Sequence, residues 1–257
     1  MKKINQTANS TALISGLILM FMSSVLLAGS GAAHWSYEGE EGPSHWGQLA
    51  DEYVMCSKGL NQSPIDLVAD VHTELPELEF EYYSQSRIDE VNNGHTIQQN
   101  IEPGSFLKIP QRGISVELKQ FHFHSPSEHT IEGKSFAMEL HFVHVDENGA
   151  ILVVGVLIDE GDEHPVLKQL WAFMPEKAGE TSEQAIGIEE TNLLPTTREY
   201  FTYGGSLTTP PCSEGVKWVV LKTPIEASAE QIATFKERMG PTTNRPVQPH
   251  NARLIID

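Results

Sequence analysis

Basic residues are scarce in this chain of 257 residues. Lysine and arginine number 17 against 35 aspartates and glutamates, which gives a formal net charge of −18 at pH 7. A surface this acidic disfavours binding to nucleic acid and to anionic membranes, because both carry the same sign of charge, and it favours solubility. We therefore expect no nucleic-acid partner, whereas the charge by itself says nothing about the fold.

An apolar run of about 20 residues, the length that spans a bilayer, is also absent. The longest run covers residues 13–27, after two lysines and before small residues, which is the pattern of a secretory signal peptide. Gly31 and Ala33 suit the positions before a cleavage site, so we predict a leader at residues 1–33. The predicted location is periplasmic or secreted, with no stable membrane anchor after cleavage. An uncleaved anchor is the alternative.

The remaining residues, 34–257, are long enough for a single domain with a full core. They contain no repeat, low-complexity segment or linker. Alternating and apolar segments predict a mainly β (α+β) fold, with a large, mostly antiparallel twisted central sheet and short surface helices. The predicted strands include 106–109, 114–124, 136–145, 150–158 and 216–221; the predicted helices are 162–174 and 229–239; residues 181–194 are expected to form a short helix and then a loop.

Five of the eleven histidines fall within residues 120–145, in two segments that alternate like strands. In the first, alternation places His122 and His124 on one face, which they would share with Gln120, Leu118 and Val116. The opposite face would carry Phe121 and Phe123 with Glu117 and Lys119. In the second segment, His141 shares a face with Glu139 and Val143.

If these two strands are antiparallel neighbours, three imidazoles converge on one point. Three neutral histidines suit Zn²⁺ and leave a fourth position open, which distinguishes a catalytic zinc site from a structural one. Gln120 and Glu139 are placed to hold the outer ring nitrogens as acceptors. A histidine pair on a strand is more often surface or core, and for His129 and His144 we expect hydrogen bonds inside the fold.

Several motifs together carry a family resemblance. They are Phe-His-Phe-His at 121–124, Ser-Glu-His at 127–129, Glu-Leu-His-Phe-Val-His at 139–144 and Ser-Leu-Thr-Thr-Pro-Pro-Cys at 206–212, with Asn-Asn-Gly-His at 92–95. In this combination the chain resembles an α-class carbonic anhydrase of the bacterial exported type, from residue 34 to residue 253. The resemblance agrees with the predicted sheet.

The resemblance implies a zinc enzyme for the reversible hydration of CO₂ to bicarbonate and a proton. It assigns Zn²⁺ to His122, His124 and His141, and it makes zinc-bound hydroxide the attacking group. His95 would shuttle protons to buffer, since a histidine titrates near neutral pH. Thr208 would accept a hydrogen bond from the hydroxide and donate its own proton to an ionised Glu128.

The resemblance also assigns the walls of the site. An apolar wall for CO₂ would comprise Val143, Val153, Leu207, Val216 and Trp218, and Thr209 would line the same pocket beside Thr208. Polar positions for a water chain would be Tyr37, Asn93 and Gln98. Relatives often carry another polar residue at the last of these, which leaves the water path open.

Cysteine is also scarce, because the chain contains only two, Cys56 and Cys212. An exported chain with two cysteines invites one disulfide, and two unpaired thiols are the alternative. The resemblance favours the disulfide, which would fasten the loop around Thr208 to the N-terminal segment.

Three other functions compete with this interpretation. A non-catalytic zinc-binding module of the same fold would have lost a ligand, Glu128 or Thr208, and all are present. A periplasmic zinc carrier would need a mobile histidine-rich loop, which the sequence lacks. A zinc hydrolase of the His-Glu-x-x-His type is disfavoured because that motif is absent. The oligomeric state is left open, with a homodimer as one expectation.

Overall fold

The computed structural model describes residues 33–83 and 85–257, and in this part of the chain more residues lie in strands than in helices. The strands are β1 (Asp66–Leu67), β2 (Glu79–Glu81), β3 (Ser86–Asn92), β4 (Ile97–Asn100), β5 (Phe106–Ile109), β6 (Ile114–His124), β7 (Thr130–Ile131), β8 (Met138–Val145), β9 (Ile151–Glu160), β10 (Thr181–Ile188), β11 (Tyr200–Ser206) and β12 (Glu214–Ala227). The helices are α1 (Trp46–Leu49), α2 (Met55–Lys58), α3 (Pro165–Trp171) and α4 (Ala229–Met239).

Ten of these strands form one sheet in the order β10-β3-β4-β6-β8-β9-β12-β11, with β5 beside β6 and β2 beside β5. Its neighbouring strands are antiparallel except for β9 and β12, which run parallel. The predicted fold class is therefore confirmed. A hairpin turn at residues 146–149 joins β8 to β9, and Gly149 supplies the positive φ of 84° at its end.

Residues 181–194 differ from the predicted short helix and loop. Thr181–Ile188 is a strand that pairs with β3, and a 3₁₀ helix follows at Glu190–Leu193. The segment has no strong apolar alternation because it lies at the edge of the sheet and most of its side chains are exposed. Pairing with β3 decided its conformation, which no local pattern encodes.

Strand β6 contains a β-bulge that changes which side chains share a face. The register with β8 shifts between Leu118 and Gln120. An extra residue in one strand reverses the alternation beyond it. Val116 and Leu118 therefore lie in the core with Phe121 and Phe123. The predicted sharing of a face by Val116, Leu118, Gln120, His122 and His124 was wrong for the first two.

Apolar clusters cover both faces of the sheet. The larger one packs against α3 and α4, where Trp171 lies between Phe123 and Phe235 at ring-centroid distances of 4.9 and 5.8 Å. The smaller one includes Trp218 and lies on the face that carries the histidines. A third cluster, around Trp35 and Trp46, includes both cysteines.

Cys56 and Cys212 form the expected disulfide. The predicted helix at residues 229–239 is confirmed as α4. At its start the Ser228 hydroxyl accepts a hydrogen bond from the Gln231 main-chain N–H, and the Gln231 side chain accepts one from Ser228 in return.

The predicted leader, residues 1–33, lies outside the described residues except for Ala33, and it stays a prediction. Residues 33–257 form one compact unit. Within the described part of the chain, no helix has both the length and the apolar character that crossing a membrane requires.

Glu90 is a buried carboxyl group in the middle of β3. Its side chain is fully buried, and neither carboxylate oxygen has a hydrogen-bond partner among the described residues. Burial raises its pKa from 4.5 to about 8, because the charged form is desolvated. The folded protein therefore retains this proton at a pH where the unfolded chain has lost it.

We predict that Glu90 makes the protein less stable as pH rises. Its favourable contribution is complete below pH 4.5 and is lost by about pH 8, at a slope of up to ~1.4 kcal/mol per pH unit. Glu90→Gln should remove this decline and raise the melting temperature at pH 8. The control is Glu183→Gln, which removes the same charge from an exposed position on β10. Parallel pH profiles for wild type and Glu90→Gln would contradict the prediction.

Candidate metal centre

Three histidines from two adjacent strands converge on one face of the sheet. His122 and His124 lie on β6, and the register places His141 of β8 opposite His122. One ring nitrogen from each lies within 4.8 Å of the other two. The ring centroid of His122 lies 5.1 Å from that of His124 and 5.3 Å from that of His141, and the centroids of His124 and His141 are 4.6 Å apart. The arrangement leaves room for a single ion at their centre.

Oxygen acceptors hold the outer nitrogens of the two β6 histidines. His122 donates from Nδ1 to Gln120 Oε1 at 2.8 Å, and His124 donates from Nδ1 to the main-chain carbonyl of Thr243 at 2.6 Å. Both rings consequently turn Nε2 toward the centre. The Nε2 atom of His124 is buried and has no hydrogen-bond partner among the described residues, as expected of an atom that awaits a metal.

His141 is oriented in the opposite sense. It donates from Nε2 to Glu139 Oε1 at 2.9 Å, so its Nδ1 faces the centre. Glu139 also accepts hydrogen bonds from the Nδ1 of His129 at 2.7 Å and from the main-chain N–H of Glu128 and of His129 at 2.9 and 2.8 Å. One buried carboxylate therefore orients a candidate ligand and the turn that carries Glu128.

The protonation states of these groups suit a divalent cation. Burial lowers the pKa of all three histidines: that of His122 falls well below its usual value, that of His124 falls to about 4, and that of His141 is also lowered. All three imidazoles are thus neutral at pH 7 and can donate a lone pair. Burial opposes ionisation of Glu139, but His129 and His141 together hold its pKa well below its usual value. The donor set fits Zn²⁺, which binds three neutral histidines readily.

Glu128 lies beside the histidine cluster and is also fully buried. Its Oε1 accepts a hydrogen bond from the Arg245 main-chain N–H at 2.8 Å. Its Oε2 lies 3.6 Å from His124 Nε2 and 3.9 Å from His141 Nδ1. Burial raises the pKa of Glu128 to about 7, while His141, the Arg245 N–H and the Thr208 hydroxyl oppose the increase. A cation at the centre would favour the ionised carboxylate further.

The residues expected to form an apolar wall lie together in the smaller cluster. Val153, Val216 and Trp218 are buried, and Val143 and Leu207 are partly buried against them. The indole of Trp218 lies 4.9 Å from the ring of His141, and its N–H donates to the Ser206 carbonyl at 3.0 Å. Thr208 is buried and Thr209 is partly exposed. The sheet therefore brings an apolar surface close to the candidate metal position.

His95 lies at the tip of a turn and stacks flat on Trp35, with ring centroids 3.6 Å apart and planes inclined by 9°. Burial and the neighbouring His34 lower its pKa. The side-chain oxygen of Asn93 accepts the main-chain N–H groups of His95 and Thr96, both at 2.9 Å. The role of Asn93 in the structure is thus to shape the turn that presents His95.

The other two expected water-chain residues have different surroundings. The hydroxyl of Tyr37 is buried without a hydrogen-bond partner among the described residues, and its pKa is raised well above the usual value by burial and by Glu128. Gln98 instead donates to Asn100 Oδ1 at 2.7 Å. The Tyr37 hydroxyl therefore has no partner among the described residues, whereas the Gln98 side chain is engaged by a residue of its own strand.

His129 and His144 make the internal hydrogen bonds expected of them. The Nε2 of His129 accepts from the Tyr203 hydroxyl at 2.6 Å, and that of His144 accepts from the Tyr82 hydroxyl at 2.7 Å. Sequence reasoning missed the partners Tyr203 and Thr243. The Thr243 contact uses a main-chain carbonyl, so no side-chain pattern signals it, although it lies beside the Asn-Arg-Pro motif at 244–246.

Comparison with known proteins gives a consistent result. Residues 41–257 match the family described as eukaryotic-type carbonic anhydrase. The chain is 46% identical over 226 residues to a carbonic anhydrase of Klebsiella pneumoniae, a match that covers 88% of this chain and 92% of that protein.

Two solved structures are similar throughout. One is an α-carbonic anhydrase from Thermovibrio ammonificans in complex with the inhibitor sulfanilamide, with a TM-score of 0.85 and 48% identity over 88% of this chain and 100% of that chain. The other is a hyperthermostable carbonic anhydrase identified from an active hydrothermal vent chimney, with a TM-score of 0.83 and 51% identity over 87% and 99% of the respective chains.

Gly155 provides a test of the contact between Glu139 and His141. It lies opposite His141 on β9, and a Cβ atom there would be 2.9 Å from Glu139 Oε1. We predict that Gly155→Ala displaces the carboxylate and lowers Zn²⁺ affinity about 10- to 100-fold, the usual effect of losing an outer partner of a metal-bound histidine. Competition with a chromophoric chelator measures the affinity.

The control for this variant is Gly204→Ala on β11, where an added Cβ would meet nothing within 4 Å. It should bind Zn²⁺ as the wild type does. Wild-type affinity in a folded Gly155→Ala protein would show that the position of Glu139 does not matter for metal binding.

Proposed function

The chain belongs to the eukaryotic-type, or α-class, carbonic anhydrase family, and on this premise we propose that it is an exported enzyme that uses Zn²⁺ to interconvert CO₂ with bicarbonate and a proton. The observation that carries the proposal is the convergence of three neutral histidine nitrogens, each on a ring whose other nitrogen is held by an oxygen acceptor. Such a set leaves one position of a tetrahedral zinc site open for water.

His122, His124 and His141 would hold the metal, with Gln120, Glu139 and the Thr243 carbonyl fixing their orientation. Bound Zn²⁺ supplies Lewis acidity that lowers the pKa of a coordinated water to about 7, a value known for carbonic anhydrases as a class. The protein's contribution is to hold the three rings rigidly and to leave one side of the site open.

We assign to Thr208 and Glu128 the orientation of the attacking oxygen. An ionised Glu128 would accept a hydrogen bond from the Thr208 hydroxyl, which obliges the threonine oxygen to act as an acceptor toward the reacting group. The short distances between Glu128 Oε2 and two of the histidine nitrogens support this assignment, as does the influence of the Thr208 hydroxyl on the pKa of Glu128.

The substrate would lie against the apolar wall. CO₂ is small and carries no charge, so it gains most from a surface from which water is easily displaced. The side chains of Val143 and Leu207 are partly exposed beside the buried Val153, Val216 and Trp218, and they offer such a surface. Thr209 would provide polar contacts for bicarbonate at the edge of the same pocket.

His95 would carry the product proton to the solvent. Its ring is half-buried on Trp35 at the edge of the aromatic cluster, so it can exchange protons with buffer. Tyr37 would order water between His95 and the metal position, because its hydroxyl has no partner in the described part of the chain. Asn93 and Gln98 would contribute to this path less directly, since their side chains hold the turn and a neighbouring strand residue.

Two features support export. They are the leader pattern at residues 1–33 and the Cys56–Cys212 disulfide. Disulfides persist in oxidising compartments such as the periplasm. A homodimer is the assembly that we would test first, by light scattering on the mature chain.

The zinc requirement is tested by stopped-flow CO₂ hydration on residues 34–257, with metal content measured on the same sample. We predict rapid hydration that is lost on chelation and restored by Zn²⁺. His141→Ala should lose metal and activity together. About one zinc per chain without hydration would favour the alternative, a non-catalytic zinc-binding module of this fold.

The proton path is tested with His95→Ala. We predict that kcat in weak buffer falls at least about tenfold, that imidazole restores it, and that kcat/KM is unchanged because proton release follows the attack on CO₂. His72→Ala, which removes an exposed histidine, is the control. A wild-type kcat in weak buffer for the His95 variant would remove the shuttle from the mechanism.

A further inference from the structure

Arg245 is fully buried, and its guanidinium has no part in the proposed mechanism. Its guanidinium donates to the main-chain carbonyls of Cys56 and Ser63, both at 2.8 Å, and to Gln62 Oε1 at 2.9 Å. No carboxylate among the described residues lies within 4 Å of it as an ion pair. Burying a charge in this way costs free energy unless hydrogen bonds compensate, so the three acceptors define its position closely.

The main chain of the same residue contacts the candidate active site. The Arg245 N–H donates to Glu128 Oε1 at 2.8 Å, the hydrogen bond that leaves Oε2 directed at the histidines. Neighbouring contacts align the two segments, because Thr243 N–H donates to the Ser125 carbonyl at 2.8 Å. The side chain and the main chain of Arg245 therefore join different parts of the fold.

The acceptors of Arg245 are themselves tied to the loop that carries Thr208. Cys56 is bonded to Cys212, and the Gln62 amide donates to the Cys212 carbonyl at 3.0 Å. The Ser63 main-chain N–H donates to the Ser206 hydroxyl at 2.9 Å. Residues 56–63 thus hold both ends of the loop 206–212 and the guanidinium of Arg245. The proposed hydrogen bond from the Thr208 hydroxyl to Glu128 would close these contacts into a ring.

From this ring we infer that Arg245 is a positioning residue for the reaction: its guanidinium, anchored on residues 56–63, fixes the main-chain N–H that holds Glu128 toward Thr208. The inference rests on the proposed role of Glu128 and Thr208. The Arg245 guanidinium contacts none of the reacting groups. According to this inference, its hydrogen bonds nevertheless help to determine how the attacking oxygen is oriented.

Burial lowers the pKa of the Arg245 guanidinium to about 10, so it is still charged at pH 7, and the charge of Glu128 favours that ionised form. A shorter, neutral side chain at position 245 would remove the three hydrogen bonds that hold this segment.

The test compares Arg245→Gln and Arg245→Lys with wild type and with Arg253→Gln. Arg253 is a matched control, because its guanidinium also donates to three oxygen acceptors, the main-chain carbonyls of His250, Gly204 and Pro249, without contact to Glu128. We expect kcat/KM to fall about tenfold or more in Arg245→Gln, since small misplacements of positioning groups have effects of this size. Arg245→Lys retains the charge and should lose less, and Arg253→Gln should lose none.

A second background separates positioning from a general loss of folding. In Glu128→Ala there is no carboxylate to orient, so adding Arg245→Gln should lower the melting temperature without lowering kcat/KM further. The visible spectrum of the Co²⁺-substituted protein is a readout that does not depend on activity. It should differ from the wild-type spectrum in Arg245→Gln and be unchanged in Arg253→Gln.

Two results would overturn the inference and leave the proposed role of Glu128 intact. One is a wild-type kcat/KM in folded Arg245→Gln, and the other is that Arg245→Gln lowers kcat/KM equally in the wild-type and Glu128→Ala backgrounds. Wild-type kcat/KM in Glu128→Ala itself would refute the proposed role of Glu128, and the inference with it.

Discussion

Both carboxylate oxygens of Glu139 are buried, and four N–H groups donate to them: two from the main chain of residues 128 and 129, and two from the rings of His129 and His141. An ionised carboxylate in this position is stable only when its donors are in place. The turn that carries Glu128 and the orientations of His129 and His141 therefore depend on one group. Gly155 leaves the space that this group occupies.

The second constraint is the sheet itself, which sets the positions of the histidines through register. The bulge after Leu118 lets one strand bury Leu118 and Phe121 in the larger cluster while it presents Gln120, His122 and His124 to the opposite side. Without the extra residue, a strict alternation would place the apolar first half of β6 on the histidine face. The irregularity thus satisfies both the core and the site.

Residues that act through side chains on regular strands were predictable. Alternation alone paired Gln120 with His122 and Glu139 with His141, and both contacts are present. Residues that act through the main chain were not. The Thr243 carbonyl contacts His124 and the Arg245 N–H contacts Glu128, in each case from more than 110 positions away in the sequence. Every residue type has a main-chain carbonyl, and every type except proline has a main-chain N–H. Side-chain identity could not reveal them.

The fold class, the histidine triad and the family could be identified from sequence, because apolar periodicity and closely spaced motifs are local properties of the chain. The conformation of residues 181–188, the bulge in β6 and the contacts of Arg245 could be identified only from the folded protein. Each of these depends on which distant backbone groups lie within hydrogen-bonding distance of one another. The packing of the whole sheet determines which groups meet, and no short stretch of sequence encodes that packing.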